Sequence, residues 1–262
     1  RLPKSIKRWS KHRRHRRSER YLSQGILSMI EEDWRDAEES FQRGARESSL
    51  PLVNYLAAAR AAQRAGAIER RDHYLRLAHE DCPEASLVIG ITQAKLQLSQ
   101  CQNEQAYATL KHLDVDKGSQ NQVNALMLEA ASELNEWPEA LRILNDPKSK
   151  KILPADQLKS RQLTVYAGLL QEAGNSRERN KLEETWENIP RKLKEEFYLI
   201  EVYVRARLSY PDTSDCEELL RKILKNRWDD NLVCLYGLVE ASNKVKQIQF
   251  AERLLSGHAN DA

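Results

Sequence analysis

The side chains able to do chemistry in this chain are few and widely spaced. Its six histidines are His12, His15, His73, His79, His112 and His258. His12 and His15 lie among arginines, whose charge disfavours a bound cation. His73 and His79 are six positions apart, whereas ligands sharing one helix face lie three or four apart. The four cysteines, Cys82, Cys101, Cys216 and Cys234, form no CxxC pair, so neither a zinc knuckle nor a dithiol redox pair is spelled out. HExxH, GxSxG, a P-loop and G-x-G-x-x-G are all missing from the sequence, and with them the local mechanics of zinc hydrolysis, acyl transfer and nucleotide binding. No catalytic residue, metal or cofactor is expected, and the chain is read as a non-enzyme. One short pattern keeps an alternative open: a Cys-Pro pair can ligate haem iron through its thiolate, and Cys82-Pro83 is such a pair. Pro83 equally suits the end of a helix.

The elements that must position these residues are helices. Gly (9) and Pro (8) are scarce for 262 residues, while Ala, Leu, Glu, Gln, Arg and Lys, the strong helix formers, dominate. Apolar residues make up 40%, charged residues 31%, and mean hydropathy is −0.71. No stretch reaches the roughly 18 consecutive apolar residues that a membrane span needs. A pattern of about 34 residues, the helix-turn-helix period of tetratricopeptide (TPR) repeats, runs through the chain. Tyr21, Gly25, Ala37 and Phe41 fall on it in a first unit, with helices over 18–31 and 34–47 turning at Glu32-Asp33. Tyr55, Ala59, Ala62, Gly66, Ala78 and Pro83 fall on it in a second. Asp33-Trp34-Arg35-Asp36-Ala37 returns as Glu136-Trp137-Pro138-Glu139-Ala140, 103 positions later, three periods plus one. Further pairs are expected over 85–99 with 104–113, 122–135 with 138–144, 154–172 with 177–188, 190–210 with 211–226, and 230–241 with 244–256. The expected fold is all-α, a right-handed superhelical solenoid of TPR-like hairpins over 18–262, preceded by a basic arm over 1–20. Each hairpin buries its apolar face only by stacking on the next.

Charge singles out that arm. Residues 1–20 hold ten Lys/Arg against Glu19 alone, while the other 242 residues hold 32 bases and 38 acids. Leu2, Ile6 and Trp9 interleave with the cations, as in segments that lie on anionic lipid. Arg8, Trp9, Arg13, Arg14, Arg16 and Arg17 are the expected membrane-surface residues, and no nucleic-acid partner is expected. Opening on Arg1, the sequence reads as a fragment whose upstream helix would make the arm a positive-inside flank. In helix-pair solenoids the first helix of each pair lines the concave binding face. Asn54, Arg60 and Gln63 on one such helix, with Gln93 and Gln97 on the next, are the candidate contacts to a protein partner.

Three segments carry a family resemblance: Pro51-Leu52-Val53-Asn54-Tyr55-Leu56-Ala57-Ala58-Ala59-Arg60-Ala61-Ala62 with Gly66 and His73-Tyr74-Leu75; Trp186 to Pro190 running into Arg191-Lys192-Leu193; and Arg227-Trp228-Asp229-Asp230. With the basic arm before them, the chain resembles the N-terminal region of the proteobacterial HemY family of inner-membrane TPR proteins. The resemblance implies two membrane helices before the arm, a repeat region facing the cytoplasm, further repeats beyond residue 262 and an association with late haem synthesis. A scaffold that holds a protein partner, with haem-pathway enzymes as candidates, follows from it. A tetrapyrrole or haem carrier using Cys82 is the alternative.

Overall fold

The structure is a computed structural model and describes residues 4–115, 118–146 and 154–257; the side chains of residues 4–11 lie outside the described set. Among the described residues there is no strand. The helices are α1 (Lys4–Ile30), α2 (Trp34–Glu47), α3 (Leu52–Arg64), α4 (Ile68–Asp81), α5 (Ser86–Leu98), α6 (Asn103–Lys111), α7 (Gln120–Glu133), α8 (Trp137–Asn145), α9 (Ala155–Asn175), α10 (Arg179–Glu187), α11 (Phe197–Arg207), α12 (Ser214–Leu224), α13 (Asp230–Tyr236) and α14 (Lys244–Gly257). The all-α expectation holds. Where the sequence reads as one repeat domain over 18–262, the chain divides into two compact units, Arg1–Leu134 and Asn135–Ala262.

One turn is used again and again. Glu32, Gly66, Cys101, Asn135, Arg177 and Asp212 have φ between 56° and 72°. Each stands two positions before a helix start, at α2, α4, α6, α8, α10 and α12. The intervals between them are 34, 35, 34, 42 and 35 residues. At three of them the next N–H reaches back five residues: Asp33 to the Ser28 carbonyl (2.8 Å), Ala67 to Ala62 (2.8 Å) and Gln102 to Gln97 (2.9 Å). This is the left-handed C-terminal cap that satisfies otherwise orphaned carbonyls and reverses the chain. The new helix then starts at once, in α2 with the Asp33 carboxylate accepting from the Asp36 N–H (3.1 Å). The period seen in residue types is thus also a period in backbone conformation.

In the first unit neighbouring helices pack in chain order, α1 on α2, α2 on α3 and α3 on α4, with α3 also meeting α5. Ala37, Phe41, Ala58, Ala59, Ala61, Ala62 and Ala78 are all fully buried, so small residues let the helices approach closely. A methyl group built on Gly25 would sit 2.5 Å from the Phe41 ring, which accounts for the small and aromatic positions of the first repeat. In the second unit α9 packs on α8, α10 and α11, and α13 on α11 and α12. There Gly168 leaves room for the Trp137 indole. Trp186 stacks on Tyr203 at 4.3 Å and 12°.

Two boundaries differ from expectation. The helix expected from Pro190 to 210 begins only at Phe197; residues 191–195 form turns. The N–H groups of Leu193 and Lys194 both donate to the Pro190 carbonyl (2.8 and 3.2 Å). Arg191, Lys192 and Lys194 would put three cations at a helix N-terminus, where the macrodipole opposes them. In the turn, Lys194 instead lies over the Trp186 ring at 5.7 Å, and Ile189 and Leu193 plug the core. The helix expected over 230–241 stops at Tyr236, before Gly237, a residue that weakens helix interiors.

Candidate partner-binding surface

The five candidate contact residues divide by burial. Asn54, Gln63 and Gln97 are buried, at 3%, 7% and 6% exposure. Gln63 donates from Nε2 to the Leu96 carbonyl (2.7 Å) and to the Ser99 hydroxyl, and its Oε1 accepts from Arg71 (3.1 Å). Gln97 accepts from the Thr109 hydroxyl (2.9 Å). Asn54 packs against Gly44, where a methyl would lie 2.5 Å from its Oδ1. The structure therefore moves these three from an open face into the packing between helices: Gln63 and Gln97 bond neighbouring elements, while the Asn54 Oδ1 is buried with no hydrogen-bond partner among the described residues. Gln93 is half-buried, and Arg60 is exposed on α3. Of the five, Arg60 alone presents a full charged side chain to solvent.

The arm is the first half of α1. The Arg8 and Trp9 side chains lie outside the described residues. Arg14 donates to the Arg46 carbonyl (3.1 Å) and, like Arg17, meets the Glu47 carboxylate (3.5 and 4.0 Å). Ser18, one helical turn beyond Arg14, is buried and donates to the Gly44 carbonyl (3.1 Å). That pins one face of α1 to the end of α2. Helical spacing then turns Arg13, Arg16 and Arg20 away from this contact, and all three are exposed. Ile26, Leu27 and Ile30 continue along the helix, 48%, 59% and 74% exposed.

Cys82 is buried at 4% exposure. Burial, with Glu84 and Asp81 nearby, pushes its thiol above the ordinary value, so the thiolate needed for iron is disfavoured. Pro83 opens a single 3-10 turn between α4 and α5. Among the described residues no three His, Cys, Asp or Glu come together as a metal site. No helix there is long and apolar enough to cross a membrane.

Sequence reasoning missed the buried charges. Glu38 (6% exposed) accepts from Arg70 Nε (2.8 Å) and from the Tyr74 hydroxyl (3.1 Å), tying α2 to α4. Glu217 (5%) repeats the device with Arg221 Nε (3.0 Å) and the Tyr236 hydroxyl (2.6 Å). Burial and the adjacent carboxylate raise both tyrosines, Tyr74 to about 12. Arg207, fully buried, pairs with Asp215 (2.8 Å) and donates to the Asp212 carbonyl (2.9 Å) in the turn before α12. Such groups bury well only when paired. The spacing of 36 residues between Glu38 and Tyr74, one repeat with a small offset, is the signal that could have found the first of them; the pairs Glu217–Tyr236 and Arg207–Asp215, 19 and 8 residues apart, carry no such signal. In the second unit an open groove of about 600 Å³ between α12 and α14 has Leu224 and Phe250 at its base and Lys225, Lys246 and Arg253 at its rim.

The segments that carry the family resemblance are mostly fold-making. Tyr74 holds Glu38, Trp186 stacks on Tyr203, Arg227 lies over Phe197 at 4.1 Å, and Asp229 caps α13 through the Leu232 N–H (3.0 Å). Comparison with known proteins agrees with the resemblance. Residues 1–66 match the family described as HemY protein N-terminus. The chain is 24% identical over 235 residues to Protein HemY of Escherichia coli strain K12, covering 90% of this chain and 59% of that protein. Protein HemY of Shigella flexneri matches with the same figures. The chain therefore spans less than two thirds of the length of the curated relatives it matches. No solved structure matches it.

Proposed function

Because the chain belongs to the HemY family, we propose that it supports haem biosynthesis as a non-catalytic scaffold. It is a TPR-like solenoid that binds a protein partner on the first helices of its pairs. The outward arginines of α1 hold it at the cytoplasmic face of the inner membrane. The observation that carries this reading is the recurring left-handed turn, at intervals of 34, 35 and 34 residues through the first four pairs. A backbone that repeats in this way presents successive equivalent helices, which is how helical-repeat proteins build extended binding surfaces. The interior fits the same reading. Glu38 is held by Arg70 and Tyr74, and Arg207 by Asp215, in ion pairs and hydrogen bonds that join neighbouring helices.

Pull-down of the full-length protein from detergent-solubilised membranes tests it, with Arg60→Glu beside the native sequence. One specific protein retained by the native sequence and lost with Arg60→Glu, at an unchanged melting temperature, is expected. Stoichiometric co-purification of haem with no protein partner would replace the scaffold by a carrier.

A further inference from the structure

The turn register allows positions on successive first helices to be equated, and it brings out a pattern that neither helix shows alone. The turns at Gly66 and Cys101 are 35 residues apart. Shifting α3 by that interval onto α5 superposes Val53 on Val88 and Arg60 on Lys95. Val53 and Val88 are among the exposed large apolar residues, at 58% and 51%. Arg60 and Lys95 are exposed, and neither is ion-paired among the described residues. Seven residues separate valine from cation on each helix, two helical turns along one face. The two helices pack against each other, so neighbouring axes about 8–10 Å apart carry two apolar steps in one row and two cations in another.

The pattern is confined to this pair. The same register places Glu19 and Ile26 on α1, and Gln122 and Glu129 on α7. Most of α3 and α5 is committed to packing, with Asn54, Ala58, Ala59, Ala61, Ala62 and Gln63 buried on α3. The outward valines have no role in that interior and each costs exposed apolar surface. An unpaired cation in the second row favours a negative partner group over a neutral one.

We propose that the exposed faces of α3 and α5 dock an extended acidic segment of a partner protein, with apolar side chains on Val53 and Val88 and carboxylates on Arg60 and Lys95. This rests on the scaffold reading and gives its partner a chemistry. A polyproline-II-like extended chain rises about 3.1 Å per residue with three residues per turn, so side chains three apart share a side and span the step of about 8–10 Å from one helix to the next. An acidic residue and an apolar residue, each recurring three apart on such a chain, would meet both rows.

The test is selection of a random twelve-residue peptide library displayed on phage against the native chain, followed by fluorescence-anisotropy titration of the enriched peptides. Enrichment of acidic peptides with aliphatic or aromatic residues is expected. Affinity should fall about tenfold or more in Arg60→Glu/Lys95→Glu, in line with paired interface charges, and also in Val53→Ser/Val88→Ser. The charge-reversed protein should select basic peptides instead. Urea melts of both variants should match the native chain, since all four residues are exposed. Enrichment without acidic bias, or equal binding by the variants, overturns the inference. If the full-length protein still recovers a membrane partner that Arg60→Glu/Lys95→Glu retains, the scaffold reading survives and this face does not.

Discussion

Gly25 offers a direct measure of how tightly the first hairpin is closed. A methyl group there would lie 2.5, 2.7 and 2.9 Å from Cε1, Cδ1 and Cζ of Phe41. Carbon atoms in contact prefer about 3.5–4.0 Å, so the ring must retreat by about 1 Å. Phe41 is fully buried among Ala37, Ala58 and Ala62 and has little room to do so. Overpacking of this kind costs about 1–3 kcal/mol. Alanine in a helix interior returns up to about 1 kcal/mol over glycine, leaving Gly25→Ala destabilised by about 1–2 kcal/mol. With a urea m-value of about 1–3 kcal/mol per molar, the midpoint followed by far-ultraviolet circular dichroism should fall by roughly 0.3–2 M. Phe41→Leu removes the obstructing ring edge. In the double variant the glycine penalty should vanish, with a coupling energy of about 1 kcal/mol or more. If Gly25→Ala alone raises the midpoint, as at an exposed helical glycine, α1 and α2 are not in the close contact described and the packing argument fails.

Alkaline pH should loosen the first unit. Tyr74, held at about 12 in the folded chain against 10.0 when free, contributes stability that is fully present below pH 10 and is lost as pH rises towards 12, by about 1.4 kcal/mol per pH unit. Tyr74→Phe should flatten the fall in melting temperature between pH 9 and 11; an identical slope would mean that another group is responsible. At the membrane, Arg16→Ala/Arg20→Ala should weaken sedimentation with phosphatidylglycerol vesicles by about 2 kcal/mol, near 30-fold, at about 1 kcal/mol per basic residue. Arg14→Ala should lower stability more than binding, because Arg14 is tied to Arg46 and Glu47; binding indifferent to vesicle charge would rule out the arm as a lipid contact.

The helices and their turns were legible in the sequence because local chemistry fixes them. Gly66 takes a left-handed φ that favours glycine, Asp33 caps α2, and the alanines of α3 leave room for neighbours. The contact residues were not legible in the same way. Asn54, Gln63 and Gln97 read as an exposed polar face because they are polar and lie on first helices. Whether such a residue is exposed depends on what stands opposite: for Gln63, that is the Leu96 carbonyl, 33 positions on in α5, and Arg71 in α4. An amide that finds buried partners, as Gln63 and Gln97 do, is drawn inside, since leaving it unsatisfied there is costly; Asn54 is buried by its close packing on Gly44 instead, with its Oδ1 unpaired among the described residues. Val53 departs from type in the opposite sense: an aliphatic residue in a helix, it stands 58% exposed.

What separates interior from surface here is register more than residue type. Arg60 and Arg71 are both arginines on helices of one hairpin. Arg71 follows the Gly66 turn by five residues and is 2% exposed, with Gln63, Asp72 and Gln102 around it. Arg60 precedes the same turn by six and is exposed. Once each residue is numbered from its own turn, the exposed valine and cation of α3 find their equivalents on α5, and a face with a definite chemistry emerges from side chains that looked unrelated. The same numbering applied to relatives would separate packing positions, whose partners lie one repeat away in the same chain, from exposed positions such as Val53 and Arg60.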